Sequence, residues 1–336
     1  MKKIITTIML CLLAGTVLAG CQSSVKLPEP DIKAECSSLG GWTESLPRET
    51  NTYSIPGKAI RGMEIQNNDR KIFAVSYEPR AYKDSFNYWD ISVPYESTVS
   101  VDTEKMYELF NTAAGITLQK AEPDKNKEQV KAAIKNSKTR IRIAYDAAQT
   151  ENEKGSPQPD RIITLLIGQQ DENGNYYVGL EGSDIIYLAQ QTIVDTLLNV
   201  EPFQYILKIP VLINVDTVSD IELITKDKTY VMSKEEDSYR YQNRKVSVAE
   251  YRELYTKLMS VLIEKEIPAE KMAGEKKETV LTMNFYRNAE DAPDFQMRYF
   301  EYDDSYMSVN VNGKEFFLVK KGDVEDLIKS IEKIGS

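Results

Sequence analysis

Apolar and polar residues alternate along most of the chain beyond residue 58, and the period of this alternation changes from segment to segment. A period of two predicts a half-buried β-strand, whereas a period between three and four predicts an amphipathic helix. Period-two segments joined by short polar turns occur at residues 63–75 and again at residues 221–232. This pattern predicts two similar β-hairpins in separate parts of the chain.

Helical periodicity appears at four places, two of which carry start signals. Asp102 is a suitable N-cap, and Val101 and Met106 occupy the two positions of a hydrophobic staple. Ser247 and Glu250 have the spacing of a capping box before a stripe of tyrosine and leucine. We therefore predict helices near residues 103–113, 192–198, 248–263 and 323–333.

A second pair of segments matches in the spacing of apolar residues and glycine. Residues 178–186 correspond to residues 309–317, and a short helical pattern follows each. Together with the two hairpins, this gives four units, each of which is a β-meander followed by one covering helix. The predicted fold class is α+β with repeated units and mainly antiparallel sheets, because hairpin loops this short cannot join parallel neighbours.

Periodicity and breaker residues divide the chain into six segments. The predicted organisation is a lipoprotein signal peptide (1–20), a tether (21–58), a first α+β unit (59–118), a connector or exposed helix (119–137), a second unit (138–213), and third and fourth units (214–336).

The N-terminus has the pattern of an export signal. Lys2 and Lys3 precede an apolar stretch that ends in Leu-Ala-Gly-Cys at residues 18–21, and this stretch is shorter than a membrane span. The ending resembles the bacterial lipobox, which implies that Cys21 carries acyl chains such as palmitate. A plain secretory signal with an accidental cysteine is the alternative. If the signal is removed with Cys11, Cys36 has no cysteine partner but the lipidated Cys21, so no intramolecular disulfide is expected.

Composition excludes several classes of function. The chain has 41% hydrophobic and 28% charged residues, as a water-soluble globular protein does. It has no histidine, which removes histidine-based nucleophile systems and histidine-ligated metals. A net charge of −10 disfavours nucleic acid as a partner. No glycine-rich phosphate loop is present, so the chain is not expected to be the ATPase of a transporter.

One segment partly resembles a calcium-binding loop. Residues 171–175 place oxygen ligands at alternate positions, but Tyr176 stands where the loop needs glycine and Gly182 where it needs glutamate. A hairpin turn explains the same residues without a metal. We therefore predict no metal site and no cofactor.

Acidic clusters occur at Glu290, Asp291 and Asp294 and at Glu301, Asp303 and Asp304. Two carboxylates placed across a sugar can hydrolyse a glycosidic bond. Both clusters fall in predicted turns of an acidic chain, where solvated carboxylates are the default. No catalytic residue is therefore assigned.

Twenty tyrosines are the one compositional excess. Tyrosine suits strand faces, and it also forms binding platforms for carbohydrate or peptide. Packing in the core or on a sheet is the favoured interpretation, and an exposed platform is the alternative. The pairs concerned are Tyr176 with Tyr177, Tyr239 with Tyr241, and Tyr299 with Tyr302.

Several segments resemble one bacterial family, domain of unknown function 4340, across roughly residues 60–333. The segments are residues 89–94 ahead of Asp102, 166–168, 175–178 with 182–183, and 306–319. The chain departs from the family pattern at residues 135–137, where a Gly-Leu-Asp-x-Pro-like turn is usual. The resemblance implies an extracytoplasmic, membrane- or lipid-anchored protein of repeated α+β units. Some members resemble or accompany auxiliary components of gliding-type ABC transport systems, and none has established catalytic residues.

These observations lead to one expected function and two alternatives. The expected function is a non-enzymatic, extracytoplasmic lipoprotein, bound to the membrane through lipid on Cys21. It would act as an accessory or interaction module of a membrane assembly, with ABC transporter subunits as candidate partners. The first alternative is a surface protein that binds glycan or peptide through exposed tyrosines, and the weaker one is a carboxylate-based hydrolase.

Overall fold

The computed structural model describes residues 43–44, 52–53, 57–77, 88–123, 126–146, 161–235, 238–268, 278–288 and 293–334. The predicted signal peptide and the predicted lipidation site at Cys21 lie outside these residues. The described strands form two sheets in which neighbours are antiparallel, with one two-residue exception, and five α-helices accompany them. The predicted fold class, α+β with mainly antiparallel sheets, is confirmed.

The first sheet has ten strands in the order β2-β6-β10-β9-β8-β7-β3-β4-β5, and β1 pairs in parallel with β8. Its alternate apolar residues, such as Met63 and Ile143 in register on β3 and β7, belong to the core together with residues of the helices. The strands are β1 (Thr43–Glu44), β2 (Thr52–Tyr53), β3 (Ile60–Asn67), β4 (Arg70–Tyr77), β5 (Trp89–Val93), β6 (Leu118–Lys120), β7 (Arg140–Tyr145), β8 (Arg161–Gln170), β9 (Tyr176–Leu180) and β10 (Ile186–Ala189).

The second sheet has nine strands in the order β14-β13-β12-β11-β16-β17-β18-β19-β15. The strands are β11 (Val218–Thr225), β12 (Thr229–Glu235), β13 (Ser238–Tyr241), β14 (Arg244–Val246), β15 (Ile263–Glu266), β16 (Thr279–Arg287), β17 (Phe295–Glu301), β18 (Tyr306–Val311) and β19 (Lys314–Lys320).

The helices begin where the sequence signals predicted. The carboxylate of Asp102 accepts a hydrogen bond from the backbone N–H of Lys105 at 3.1 Å, and Ser247 and Glu250 form a complete capping box. These contacts satisfy N–H groups that have no partner within the helix. The helices are α1 (Thr103–Ala114), α2 (Lys127–Lys135), α3 (Gln191–Leu198), α4 (Val248–Leu258) and α5 (Lys321–Ile334), with short 3-10 turns at Gly57–Ala59, Pro202–Tyr205 and Val215–Thr217.

Helix α4 is shorter than predicted. It ends at Leu258 rather than near residue 263, and β15 begins at Ile263. The hydroxyl of Ser260 donates to the carbonyl of Lys257 at 2.7 Å, which gives the backbone a local alternative to another helical turn. Leu262, which fits the apolar stripe of the sequence, therefore lies beyond the helix.

Two segments predicted outside the α+β units, the connector or exposed helix at 119–137 and the tether, belong to the first sheet or pack on it. Residues 119–137 contain the end of β6 and helix α2, whose Val130 and Ile134 are buried against Leu166 and Ile186. Strands β1 and β2 fall within the segment expected to be the tether. Both are two residues long and carry no strong periodicity, so the sequence pattern did not indicate them.

The two sheets share one strand order. The first reads β5-β4-β3-β7-β8-β9-β10-β6 and the second β13-β12-β11-β16-β17-β18-β19-β15, with the remaining short strands outside these series. The four predicted units are not confirmed as four separate bodies. The pairing of β3 with β7 merges the first two into one sheet, and the pairing of β11 with β16 merges the last two.

A cluster that we call the junction joins the two sheets. Tyr95 follows β5, is 1% exposed, and its hydroxyl donates to Glu266 at the end of β15 at 2.7 Å. The Tyr95 ring lies 5.1 Å from that of Phe317, which also contacts Phe203. Apolar residues of both sheets form one continuous core cluster. Lys208, which contacts Phe203, also belongs to the junction. The junction thus lies inside one packed body.

The packing of α2 on the first sheet gives a test of the fold. Any Cβ added at Gly179 would collide with Ile134 of α2. Gly179→Ala should therefore destabilise the protein by about 1–3 kcal/mol, as overpacking of a core does. In an Ile134→Ala background, where the collision is removed, the same substitution should cost less. Urea unfolding of the four proteins measures this coupling.

Gly322→Ala is the control, because a Cβ there would meet nothing within 4 Å. Its stability should be unchanged or raised by up to about 1 kcal/mol, since alanine suits a helix better than glycine. An equal cost of Gly179→Ala with and without Ile134 would contradict the packing described for α2.

Candidate functional site

The second sheet has one apolar and one polar face. Side chains alternate between faces along a strand, and the row containing Ile221 and Phe285 belongs to the core with helices α4 and α5. Tyr241 of this face donates from its hydroxyl to the carbonyl of Ile331 in α5 at 2.7 Å. The opposite side, which we call the polar face, is formed by Asp220, Glu222, Thr282, Asn284, Tyr286, Gln296, Arg298 and Asn310.

Hydrogen bonds cross three strands at the centre of the polar face. Glu222, Asn284 and Gln296 are in register on β11, β16 and β17. The amide of Asn284 donates to the carboxylate of Glu222 at 2.8 Å, and the amide of Gln296 donates to the side-chain oxygen of Asn284 at 2.9 Å. All three side chains are half-buried. The network fixes their orientations while leaving part of each group exposed to solvent.

Tyr286 lies beside this network. It is 40% exposed, and its hydroxyl is 3.4 Å from the same Glu222 oxygen that accepts from Asn284. The negative charge of Glu222 raises the pKa of the Tyr286 phenol, so the hydroxyl stays protonated. An exposed aromatic ring with a protonated hydroxyl therefore stands next to a fixed row of amide and carboxylate groups.

A second row of the polar face is centred on Arg298. It is in register with Thr282 and Asn310, and one guanidinium nitrogen is 3.5 Å from the side-chain oxygen of Asn310. That oxygen also accepts from the backbone N–H of Gly313 at 2.9 Å, which closes the turn between β18 and β19. The guanidinium is 5.5 Å from the ring of Phe300. Arg298 therefore adds a positive charge to the polar face.

The corresponding face of the first sheet is largely covered. Glu64 matches Glu222 in strand position, but it is buried and pairs with Lys71 at 2.6 Å. Ala144 occupies the position of Tyr286 and packs, fully buried, against Ile162. Helix α2 covers the other end of this face. The two sheets therefore have the same strand order, but this face is covered in the first sheet and accessible in the second.

Lys208 is the unusual titratable group of the junction. Its ammonium lies 3.3 Å from the centre of the Phe203 ring and donates to the Phe203 carbonyl. Burial lowers the pKa of Lys208 to about 8, although the charges of Glu266 and Asp102 act in the opposite direction. The lysine holds a partly desolvated charge where the two sheets meet.

The loop that resembles a calcium site is a hairpin turn. One carboxylate oxygen of Asp171 accepts from the backbone N–H groups of Asn173 at 2.9 Å and Asn175 at 2.8 Å. Gly174 has a φ of +86°, a conformation that glycine adopts without strain. The turn joins β8 to β9, and the hairpin interpretation of these residues is confirmed.

The residues of the two acidic clusters lie in different places in the structure. Glu290 and Asp291 lie outside the described residues. Asp294 accepts from the backbone N–H of Arg287 at 2.9 Å, and Asp303 accepts from two N–H groups of its own turn. Asp304 is exposed. The described members of these clusters shape turns or face solvent.

Glu301 is the acidic candidate that lies near other carboxylates. It lines a cavity of about 320 Å³ together with Glu278 and Glu332. Glu301 pairs with Lys321 at 2.7 Å, and Glu278 pairs with Lys226 at 3.2 Å. Lysines thus balance two of the four carboxylates that line the cavity, the fourth being that of Asp227, as in an ordinary surface network of charges.

The tyrosine pairs do not form an exposed row. Tyr241 and Tyr299 are buried, and Tyr239 packs against Tyr251 with their rings 5.0 Å apart. The hydroxyl of Tyr176 donates to Asp195 at 2.7 Å. Tyr177 and Tyr302 are half-buried. Packing is confirmed for Tyr241 and Tyr299.

Tyr286 was not predicted from the sequence as a residue of an exposed surface. A usable signal was present in β16, where Asn284 and Tyr286 alternate with the apolar Met283 and Phe285. This alternation places Asn284 and Tyr286 together on the side opposite the core. Alternation also places Tyr239 and Tyr241 on one side of their strand, but it does not show whether that side is buried.

The comparisons with known proteins identify a family but no activity. The family model described as domain of unknown function (DUF4340) matches residues 89–281, from β5 of the first sheet into β16 of the second. The chain belongs to this family. No curated protein and no solved structure matches it. Among the described residues, no helix is both long and apolar enough to cross a membrane.

The junction predicts a dependence of stability on pH. The pKa of Lys208 is about 8 in the folded chain and 10.5 without the fold. Between these values the unfolded chain binds more protons, so the contribution of Lys208 to stability rises with pH. Lys208→Met should remove this rise between pH 8 and 9.5, as followed by urea unfolding.

Lys228→Met is the matched control, because Lys228 is an exposed lysine 4.9 Å from the centre of the Tyr230 ring. It should keep the wild-type dependence on pH. If Lys208→Met and the wild type show the same slope of stability against pH, the description of a desolvated lysine at the junction is wrong.

Proposed function

We propose that this protein is an extracytoplasmic lipoprotein that acts as a non-enzymatic interaction module of a membrane assembly. The observation that carries the proposal is the Leu-Ala-Gly-Cys ending at residues 18–21, behind Lys2, Lys3 and a short apolar stretch. Two acyl chains on Cys21 are enough for stable anchoring, whereas one chain is marginal. The acidic chain offers no electrostatic alternative for adhering to an anionic membrane surface.

The length of chain between Cys21 and the folded body fits this role. The first described strand begins at Thr43, about 20 residues after Cys21. A fully extended segment of that length reaches about 70 Å at most. The body can therefore stand clear of the membrane surface and contact the extracytoplasmic parts of membrane proteins. Subunits of an ABC transport system are the partners that the family resemblance suggests.

The internal organisation supports an interaction module. We infer that the four predicted units form two copies of one larger unit, each with a meander, a helix, a short strand, a second meander and a second helix. The common strand order of the two sheets supports this duplication. A duplicated body joined through a packed junction presents surfaces in fixed relative positions, which suits binding to a large assembly.

The contacts of the carboxylates favour binding over hydrolysis. Glu301 and Glu278 are paired with lysines, and Asp294 and Asp303 accept backbone hydrogen bonds in turns. A glycosidase needs one carboxylic acid and one carboxylate on opposite sides of the scissile bond. These residues are engaged in other contacts, so hydrolysis remains the weaker proposal.

Crosslinking in native membranes tests the partner. A photo-crosslinking residue at exposed Arg252 on α4, and another at exposed Lys245 on the edge strand β14, would report contacts from two sides of the second sheet. We expect permease or ATPase subunits of a transport system among the crosslinked proteins. Isolation of the intact lipoprotein from membranes without any transporter subunit would count against the transporter partner.

The anchor itself gives a direct prediction. The thiol of Cys21 is the acceptor for the diacylglyceryl group, so Cys21→Ser should abolish incorporation of a palmitate analogue and leave the precursor uncleaved. The fold should be unaffected, since Cys21 precedes the first described strand. Metabolic labelling followed by membrane fractionation measures both effects.

Cys36→Ser provides the matched control, because Cys36 also lies between the signal and the folded body. It should keep the full label and the membrane location. Equal labelling of the wild type and Cys21→Ser would show that the acylated residue or the export route has been misassigned.

A further inference from the structure

The polar face of the second sheet offers groups that suit hydroxyl-rich ligands. Its centre combines the carboxylate of Glu222 with the carboxamides of Asn284 and Gln296. A carboxamide both donates and accepts hydrogen bonds, and a carboxylate accepts them. A sugar hydroxyl also donates and accepts. The row of three side chains can therefore bind neighbouring hydroxyl or acetamido groups along a glycan chain.

The row is already ordered without a ligand. The hydrogen bonds of 2.8 and 2.9 Å between the three side chains hold them in register on adjacent strands. Binding to pre-organised groups loses less side-chain entropy than binding to free ones. Neighbouring strands of a sheet lie about 4.8 Å apart, so the row spaces its groups at a distance similar to that of one sugar ring.

Tyr286 supplies the aromatic component of this surface. Its ring is 40% exposed and lies next to Glu222 and Asn284. The C–H face of a pyranose ring is apolar, and it can stack on an exposed tyrosine while its hydroxyls reach the polar row. At the matching position of the first sheet, the small Ala144 is fully buried.

The charge of the polar face selects among possible ligands. Asp220 and Glu222 are the charges in register with Tyr286 and Asn284, whereas the cations Arg298 and Arg240 lie on strands to either side of them. The face therefore has mixed charge and does not favour a polyanion such as nucleic acid. The apolar residues Ile224, Val231 and Phe300 also lie on this side, but each is in a different row of the register, so they form no continuous apolar stripe for an amphipathic helix. A neutral polymer rich in hydroxyl and acetamido groups fits the remaining chemistry.

We propose that the polar face, centred on Glu222, Asn284, Tyr286 and Gln296, binds a neutral glycan strand of the cell envelope. This deepens the proposed function, which supplies the extracytoplasmic location where such a strand would be met. Binding itself depends only on the folded body. The proposal also places glycan recognition at Tyr286 rather than at the tyrosine pairs indicated by the sequence.

The test measures binding of the β-1,4-linked hexamer of N-acetylglucosamine to the full chain in detergent, by titration calorimetry. Tyr286→Ala should weaken binding by about tenfold, equivalent to about 1.4 kcal/mol. Asn284→Ala should weaken it severalfold. Tyr107→Ala is the matched control, because Tyr107 is 46% exposed but lies on α1, and binding should be unchanged.

The corresponding hexamer of glucose separates the contribution of the acetamido groups from that of the hydroxyls, and weaker binding of this probe would support a role for the carboxamide row. Absence of wild-type binding to both hexamers and to insoluble cell-wall glycan would overturn the proposal. Equal binding by Tyr286→Ala and the wild type would also overturn it.

A photo-crosslinking residue at Thr282 tests whether a protein, rather than a glycan, occupies the polar face. Capture of a membrane protein through Thr282, without glycan binding by the purified chain, would make the polar face a protein-docking surface and overturn the glycan proposal. Glycan binding by Cys21→Ser at the wild-type affinity would support the glycan site even if the anchor assignment failed. The two proposals can therefore fail independently.

Discussion

The hydroxyl of Tyr95 donates a hydrogen bond to Glu266 across the boundary between the two sheets. The arrangement of the body depends on the contacts at this boundary, because they hold one sheet against the other. Tyr95 follows the edge strand β5, and Glu266 ends the edge strand β15. The Tyr95 ring packs against Phe317, and Glu96 pairs with Lys314 next to it. The hydrogen bond gives direction to an apolar contact that would otherwise tolerate several packings.

Around this contact, two sheets of the same strand order share one core. In each sheet, helices cover one side and the other side is free to differ. Helix α2 packs on the second side of the first sheet, where Gly168 and Gly179 permit its close approach. The second sheet has the half-buried row of Glu222, Asn284 and Gln296 on that side. One half thus supplies a covered scaffold and the other an accessible surface.

Local signals predicted much of the fold. Period-two alternation indicated β3, β4, β11 and β12, and capping residues located the starts of α1 and α4, because these features depend on neighbours within a few residues. Strands β6 and β15 were missed, since their partners β10 and β19 are about 50 to 70 residues away. The end of α4 was also missed, where a local hydrogen bond of Ser260 competes with a continuing apolar stripe.

The candidate site was less predictable than the fold, for a physical reason. The polar row requires three strands in register, and the bond between Tyr95 and Glu266 joins residues 171 positions apart. Sequence alternation can assign Asn284 and Tyr286 to one side of a strand, but it cannot show which sides are covered. That information arises only when α2, the helices of the core and the junction are in place.

Hydrogen exchange followed by mass spectrometry tests most directly whether the junction makes the two sheets one cooperative body. Peptides from β3 and from β16 would be followed in the intact chain at increasing urea. If the body is cooperative, the central strands of both sheets should lose protection with the same free energy and at the same urea concentration. Loss of protection in one sheet while the other stays closed would contradict the account.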